Sequence, residues 1–212
     1  MWLSLGPSTA IEDAATTALR RAAPPDSPHI GLASAALSGI VAGCCVTSQV
    51  EHLITAAHAR ASTLVPTARA LARERGLAYM LLPPGMAATA AKEVPFAAAC
   101  FFARPRLAAA FVDRSGGASL GDRCFRELCC GAACSAVASP VSHAPSVVAA
   151  YQQATGASLR GAVATLYAAG GAPTFFRGLA PRAVSFAGTF TVIPLVLDAL
   201  SRAAGLDPDA GH

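Results

Sequence analysis

Residues 31–50 read GLASAALSGIVAGCCVTSQV and contain no charged side chain. An α-helix of this length, rising about 1.5 Å per residue, matches the hydrocarbon core of a bilayer, which is about 30 Å thick. The whole chain shares this bias, since 54% of its residues are hydrophobic and only 13% are charged, with a mean hydropathy of +0.49. Soluble chains carry roughly 25% charged residues. The stretch therefore predicts a membrane-spanning helix.

Three further apolar runs have comparable length, at residues 128–150, 183–200 and 86–102. The last contains Lys92 and Glu93 near its middle. The N-terminal segment is helical in composition and less apolar. Because lipid leaves backbone groups no outside partner, apolar spans of this kind must be helical. We therefore predict an all-α membrane helical bundle with about five spanning helices.

Two shorter and more polar stretches separate the apolar runs, PTARALARER at residues 66–75 and ASLRGAVATLYAA at 157–169. They are too short or too polar to cross a bilayer, so we predict helices that lie along the membrane surface. Gly76 and the pair Gly170-Gly171 follow them and suit helix C-caps.

An internal repeat organises these elements. Gly39 and Gly131 open comparable helices 92 residues apart, and Gly85 and Gly178 precede later apolar runs 93 residues apart. Two nearly equal offsets in different parts of the unit favour duplication over coincidence. We predict two units of long helix, surface helix and long helix, at about 28–112 and 122–205.

The stretch GAPTFFRGLAPR at residues 171–182 resembles part of the mitochondrial carrier repeat. That family has Glu-Gly, several residues, and then aromatic-Arg-Gly-x-x-Pro before an even-numbered helix. Residues 85–96 are similar to the family's related Gly-x-x-Pro-x-x-x-Arg-x-x-Pro pattern, with Ala88 in place of the first Pro. Gln49 and Pro140 fall where the family places the proline kink of its odd-numbered helices.

The resemblance implies a carrier fold, in which three repeats and six helices surround a central water-filled cavity. Residues 1–27 would then be one helix left from a first repeat. The family moves small solutes by alternating access, without a cofactor, and most often in the mitochondrial inner membrane. We expect a multi-pass protein of that membrane, or alternatively of another organelle.

Residues of the even-numbered helices hold the solute in this family. By position, the resemblance implies substrate binding by Lys92, Glu93 and Ser185, with Ser4 at the matching place of the N-terminal segment. A neighbouring basic and acidic residue is similar to the amino-acid and S-adenosylmethionine type of carrier. The small-molecule partner expected is therefore a zwitterion of that kind.

Lys92 also draws attention without any resemblance, because it is the only Lys of the chain and lies within an apolar run. A charge in the bilayer centre costs a few kcal/mol even on lenient scales. Lys92 should therefore face a cavity or a charged partner. The alternative is that Lys92 and Glu93 only neutralise structural partners.

The carrier gates are incomplete in this sequence. The family's first gate pairs an acidic and a basic residue of its odd-numbered helices. Here Glu51 occupies the acidic position, but no basic residue occupies the matching position, and the region around Pro140 has neither member of an ion pair. In the opposite gate, the resemblance assigns Asp198 to an acidic place and Arg20 to a basic one. These losses indicate either gates that use other contacts or a degenerate, truncated carrier.

Other partners follow from the remaining polar residues. Arg177 and Arg182 flank a helix start and are candidates for lipid phosphates, including cardiolipin, or are simply solvated charges. The scattered basic residues give nucleic-acid binding little support. His52 and His143 could relay protons, although lone helical histidines more often bond a neighbouring hydroxyl or carbonyl group.

Three classes of function stay open. The leading hypothesis is transport of a small metabolite, and the second is a non-transporting pseudo-carrier or membrane scaffold. The third is a soluble Ala-rich helical repeat protein. We expect no enzyme, no metal site, and seven cysteines present as free thiols packed in helices. A five-helix bundle would also open to lipid unless an oligomer completed it.

Overall fold

The computed structural model describes residues 14–15, 17–19, 21–22, 30–112 and 120–203. All regular elements in these ranges are helical and no strand occurs among them, which confirms the predicted all-α class. Ser4 and Arg20, two of the predicted functional residues, lie outside the described residues.

The first half of the described chain contains two long, interrupted helices and two short ones. The first long helix consists of α1 (Ile30–Ala42), a π-helical segment (Gly43–Thr47) and α2 (Ser48–Ala59). The short helices are α3 (Leu64–Arg75) and α4 (Leu77–Leu81). The second long helix consists of α5 (Met86–Ala97), a π-helical segment (Ala98–Ala103) and α6 (Arg104–Val112).

The second half has the same order of long, short and long elements. It contains α7 (Leu120–Thr155), α8 (Leu159–Gly170), a 3₁₀ turn (Ala172–Phe176) and α9 (Leu179–Ala203). The short helices α3 and α8 each have 12 residues and occupy the two predicted surface stretches.

Three helical segments are long and apolar enough to cross a membrane by length and composition, Ile30–Ala59, Leu77–Ala110 and Ala172–Val196. They contain the predicted spans at residues 31–50 and 86–102 in full, and most of the predicted span at residues 183–200. The fourth predicted span lies in α7, which has 36 residues but is not among these three. Of the about five spanning helices predicted, three thus have the required length and composition, and the rest stay a prediction.

The predicted C-caps of the short helices are confirmed at two glycines. Gly76 ends α3 with φ 82°, and Gly171 ends α8 with φ 66°. Both values lie in the left-handed region, which a residue without Cβ adopts at little cost. Gly170 differs from the prediction only in belonging to the last turn of α8.

Contacts divide the chain into two compact units. Among the described residues, the first comprises those up to 98 and those from 140 to 177, and the second comprises those from 99 to 139 and those from 178 onward. These units cross the predicted repeat boundaries, since each predicted repeat contributes to both. The assignment of repeats to residues 28–112 and 122–205 stays a prediction.

In the first unit, the first long helix packs closely on α5 through two glycines. A Cβ on Gly43 would lie 2.7 Å from the Cα of Ala90, and one on Gly39 would lie 3.0 Å from the Cα of Val94. Such distances leave no room for a side chain. Small residues that allow backbones this close are typical of helix pairs in membranes.

In the second unit, α7 and α9 make an equivalent contact. A Cβ on Gly131 would lie 3.0 Å from the carbonyl oxygen of Ala187. One turn later, the Ser135 hydroxyl donates a hydrogen bond to the Ala183 carbonyl oxygen at 2.6 Å. Small and hydroxyl-bearing residues therefore join this helix pair as well.

The two helix contacts have matching sequence positions. The pairs are Gly39 with Val94 and Gly43 with Ala90 in the first unit, and Gly131 with Ala187 and Ser135 with Ala183 in the second. The earlier residue of each pair advances by 92 positions and the later one by 93. The offsets that suggested a repeat in the sequence thus recur in the internal packing of each unit.

Candidate functional site

Lys92 is the centre of a buried cluster of charges in the first unit. It lies on α5 and is only 5% exposed. Its ammonium donates a hydrogen bond to the carboxylate of Glu51 on α2. It also lies 3.7 Å from Glu93 Oε1, on the next residue of its own helix. One cation is therefore shared by two carboxylates and links two helices.

The cluster is more open on one side than on the other. The side chains of Lys92 and Glu93 are 6% and 16% exposed, whereas that of Glu51 is 35% exposed. A buried ammonium needs charged or polar partners, because desolvation without them costs several kcal/mol. Glu51 therefore stabilises the charge of Lys92 from the accessible side of the cluster.

The π-helical segment at Gly43–Thr47 precedes Glu51 and shapes its position. A π-helical turn inserts an extra residue, which turns the following side chains about the helix axis and leaves a carbonyl group without its usual partner. Gln49 Nε2 donates to the Cys44 carbonyl oxygen at 2.6 Å and to the Leu81 carbonyl oxygen at 2.8 Å. Gln49 thus fastens the irregular turn to α4.

The predicted solute-binding residues fall in different parts of the structure. Lys92 and Glu93 lie together in the first unit, beside the predicted gate residue Glu51. Ser185 lies half-buried on α9 in the second unit, where its carbonyl oxygen accepts a hydrogen bond from Thr189 Oγ1 at 2.9 Å. The assignment of Ser185 to the same site as Lys92 stays a prediction.

The remaining predicted gate residues are only partly described. Pro140 lies inside α7, which continues as one α-helix from Leu120 to Thr155. Asp198 lies on α9, and its side chain is outside the described part of the chain. The role of both residues in a gate stays a prediction.

The two histidines of the apolar runs differ. His143 Nε2 lies 2.9 Å from the Arg177 carbonyl oxygen, which agrees with the expectation that a helical His bonds a neighbouring carbonyl group. His52 is buried, and neither of its ring nitrogens has a hydrogen-bond partner among the described residues. The expectation is therefore wrong for His52.

The two candidate lipid-binding arginines have different surroundings. Arg177 is exposed between the 3₁₀ turn and α9. Arg182 is half-buried, with its guanidinium carbon 4.6 Å from the centroid of the Phe186 ring. A cation over an aromatic face is attracted by the ring electrons. Lipid binding by either residue stays a prediction.

A second, half-buried ion pair joins two helices of the second unit and was not predicted from the sequence. Arg104 on α6 donates to the carboxylate of Glu127 on α7, and their side chains are only 14% and 13% exposed. Both residues lie within two positions of the ends of predicted spans, at residues 102 and 128. Their opposite charges at facing helix ends were the signal that could have found them.

The cysteines contribute no covalent link. None of the seven forms a disulfide bond, and Cys130 and Cys134 are buried in α7, whereas Cys45 and Cys124 are exposed rather than packed as predicted. Among the described residues, no three side chains of His, Cys, Asp or Glu gather as metal ligands would. The candidate site therefore consists of charged and hydrogen-bonding side chains.

These observations define the class of protein as an all-helical chain with three helical segments suited to a membrane. Within it, a buried ammonium is shared by carboxylates from two helices. A scan against protein-family models, a search of curated proteins and a search of solved structures each found no match. Family membership therefore stays a prediction from the sequence.

Proposed function

We propose that this chain transports a small metabolite, an amino acid or a related zwitterion, across an organelle inner membrane by alternating access. The observation that carries the proposal is the Lys92 ammonium, buried between carboxylates on two helical segments of membrane length. Charged residues within membrane helices usually mark a solute or ion pathway.

The surfaces of the helices support a membrane setting. Val184 on α9 and Val137 on α7 are 74% and 71% exposed, and Leu77 at the start of α4 is 70% exposed. The buried residues are mostly Ala, Ser and Gly, with Phe190 the largest fully buried side chain in the described chain. Large apolar residues outside and small ones inside are typical of helices packed in lipid.

The charges of the Lys92 cluster suit a zwitterionic solute. A solute carboxylate can take the place of Glu51 on the Lys92 ammonium, while the solute ammonium pairs with a released carboxylate. Such an exchange replaces each ion pair with a similar one, so that no buried charge is left uncompensated. Because Glu51 and Lys92 lie on different helices, the exchange would also loosen one contact between them.

The repeated helix contacts support the carrier resemblance, because that family is built from repeats. They recur at offsets of 92 and 93 residues, as described above. Two parts of the proposal rest on the resemblance alone. They are the location in the mitochondrial inner membrane and the binding of cardiolipin by Arg177 and Arg182.

Uptake by reconstituted vesicles tests the proposal. We expect uptake of a labelled amino acid or of S-adenosylmethionine, and we expect Lys92→Ala and Glu93→Gln to reduce it by roughly tenfold or more. Loss of a hydrogen bond to a charged group is worth about 1.5–3 kcal/mol, which corresponds to such a factor. Arg60→Ala is the matched control, since it removes a cation from an exposed ion pair outside the cluster.

Two results would count against the proposal in different ways. Uptake that survives both substitutions would reject Lys92 and Glu93 as the solute site. Absence of uptake by a correctly inserted chain would favour a pseudo-carrier or scaffold. One observation favours that second function: the positions matching Glu51 and Lys92 in the second predicted repeat are His143 and Ser185, which form no ion pair in the described structure.

A further inference from the structure

A basic helix lies in the connection between two segments of membrane length. Residues 60–75 join the segments Ile30–Ala59 and Leu77–Ala110, and they contain four arginines and one glutamate. Helix α3 begins at Leu64, shortly after the first segment ends, and ends at Arg75, just before the second begins. Five residues reach about 18 Å at most. When both segments span a bilayer, the two ends of α3 therefore stay near one boundary, where the lipid headgroups lie.

Two of these arginines lie on the side of α3 that faces away from the protein. Thr67 and Leu71 are 1% and 5% exposed and mark the inward side. At 100° per residue, Arg69 and Arg73 fall on the opposite side, and both are exposed. Val65 lies one turn before Arg69 and is 60% exposed. These three residues, Val65, Arg69 and Arg73, form the outward face of α3.

The four arginines differ in their partners. Arg60 pairs with Glu74, and the guanidinium of Arg75 lies over an aromatic ring. Arg69 and Arg73 have no hydrogen-bond or ion-pair partner among the described residues. Like charges one turn apart on a helix repel each other and destabilise it slightly. The outward face thus carries two repelling cations, and an anion between them would relieve the repulsion.

The geometry of this pair suits a phosphate group. Side chains four residues apart on a helix have Cβ atoms about 5–6 Å from each other, so both guanidinium groups can reach one anion. The planar guanidinium fork matches the oxygens of a phosphate.

Apolar residues beside the pair favour a phospholipid over a free phosphate ion. Val65 lies on the same face, and α4 follows α3 with Leu77, Leu81 and Leu82 exposed by 70%, 64% and 66%. A phospholipid offers both an anion and an apolar body, whereas free phosphate offers only the anion. The charge and the apolar surface therefore match one amphiphilic ligand.

Helix α8 provides a comparison within the same chain. It also has 12 residues and occupies the corresponding place between long helices in the second half, but its single charged residue is Arg160. A short helix in this position therefore does not need a pair of arginines for its place in the fold. The pair on α3 is a separate feature of that helix.

We propose that the outward face of α3 binds an anionic phospholipid, with the lipid phosphate between the guanidinium groups of Arg69 and Arg73 and its apolar part beside Val65. This site is distinct from the lipid contacts predicted at Arg177 and Arg182. It is also independent of the proposed transport, because none of its residues belongs to the candidate solute site.

Tryptophan quenching by brominated lipids tests the site in reconstituted vesicles. The single Trp of the chain is Trp2, so Val65→Trp combined with Trp2→Phe places one indole on the outward face. Brominated phosphatidylglycerol, in a phosphatidylcholine bilayer, should quench this indole as a lipid that binds roughly 30-fold better than brominated phosphatidylcholine. Two arginines beside an anionic lipid correspond to a preference of about that size.

A pair of double variants with equal loss of charge locates the preference. Arg69→Gln with Arg73→Gln should bring the two lipids within about twofold of each other. Arg60→Gln with Arg75→Gln removes two cations from the same connection and should keep most of the preference, because those arginines have other partners. Circular dichroism checks that each variant stays helical.

Three results would overturn the proposal. Equal quenching by both brominated lipids, with all four arginines in place, would reject the site without requiring any arginine variant. Equal losses in the two double variants would show a response to overall charge and reject the assignment to Arg69 and Arg73. Loss of the preference in inorganic phosphate, but not in chloride of equal ionic strength, would identify free phosphate as the ligand in place of lipid.

Discussion

Replacing Lys92 with Met should destabilise the chain by about 3 kcal/mol, because it removes the ammonium that Glu51 and Glu93 share. Breaking a buried ion pair from one side typically costs 3–5 kcal/mol, since a charge is left buried without compensation. The lower end of this range applies here because the Glu51 side chain is 35% exposed and therefore stays partly hydrated. Unfolding in mixed micelles measures the effect.

Two further variants make this prediction specific. Lys92→Met combined with Glu51→Gln should recover much of the loss, since fewer carboxylates then stay unpaired. Arg60→Ala removes the cation of an exposed ion pair, in which Arg60 Nη2 lies 2.6 Å from Glu74 Oε2. This variant should change the free energy of unfolding very little. If Lys92→Met were as stable as Arg60→Ala, Lys92 would not be the buried centre of a charge cluster.

The exposure of the ion pair between Arg60 and Glu74 explains why Arg60→Ala should have little effect on stability. Hydrogen bonds from Arg60 lower the pKa of Glu74 from its ordinary value. A lowered carboxyl pKa contributes stability above the unfolded pKa, and the contribution is lost as the pH falls through the folded one. Because both side chains are exposed, solvent screens this contribution strongly.

Substituting Gly43 with Ala should destabilise the first unit by about 1–3 kcal/mol through overpacking. The new Cβ would lie 2.7 Å from the Cα of Ala90, which is backbone and can move only with its whole helix. This effect must exceed the helix propensity of Ala, which favours it over Gly by about 1 kcal/mol. The measurement is the free energy of unfolding of the Gly43→Ala variant and of the wild-type chain in the same micelles.

Gly188 is a matched control on α9. A Cβ built there meets no atom within 4 Å, so Gly188→Ala should be neutral or stabilising by up to about 1 kcal/mol. Equal stability of the Gly43 and Gly188 variants would show that the close contact between the first long helix and α5 does not exist.

Much of the fold was predictable because it depends on local properties. Apolar runs such as residues 31–50 indicate their helices by composition, and Gly76 and Gly171 mark helix ends because only glycine adopts a positive φ easily. The close helix contacts also left a trace in the sequence, since the glycines that make them, such as Gly39 and Gly131, keep a regular spacing where helices approach closely.

The partners within the site were not predictable in the same way. The pairing of Lys92 with Glu51, which is 41 residues earlier in the sequence, depends on a π-helical turn and on the packing of two helices. The pairing of Arg104 with Glu127 was not predicted for the same reason, since only tertiary packing brings α6 and α7 together. Long-range contacts leave no periodic trace in the residues that form them.

The surroundings of His52 show a further limit of sequence reasoning. His52 lies beside a small pocket with Leu71 and Met80, and no spacing in the sequence connects these residues. The general tendency of helical histidines to find a partner held for His143 and failed for His52. Such an exception becomes visible only from the packed structure.

Every function proposed for this chain depends on helices that are embedded in a lipid bilayer. Flotation of cell membranes on a density gradient, after washing in alkaline carbonate, tests this requirement most directly because aggregates and peripheral proteins do not float with lipid. We predict that the full chain rises with the lipid fraction after the wash. Recovery of a folded chain in the carbonate supernatant would contradict the membrane assignment and favour a soluble helical repeat protein.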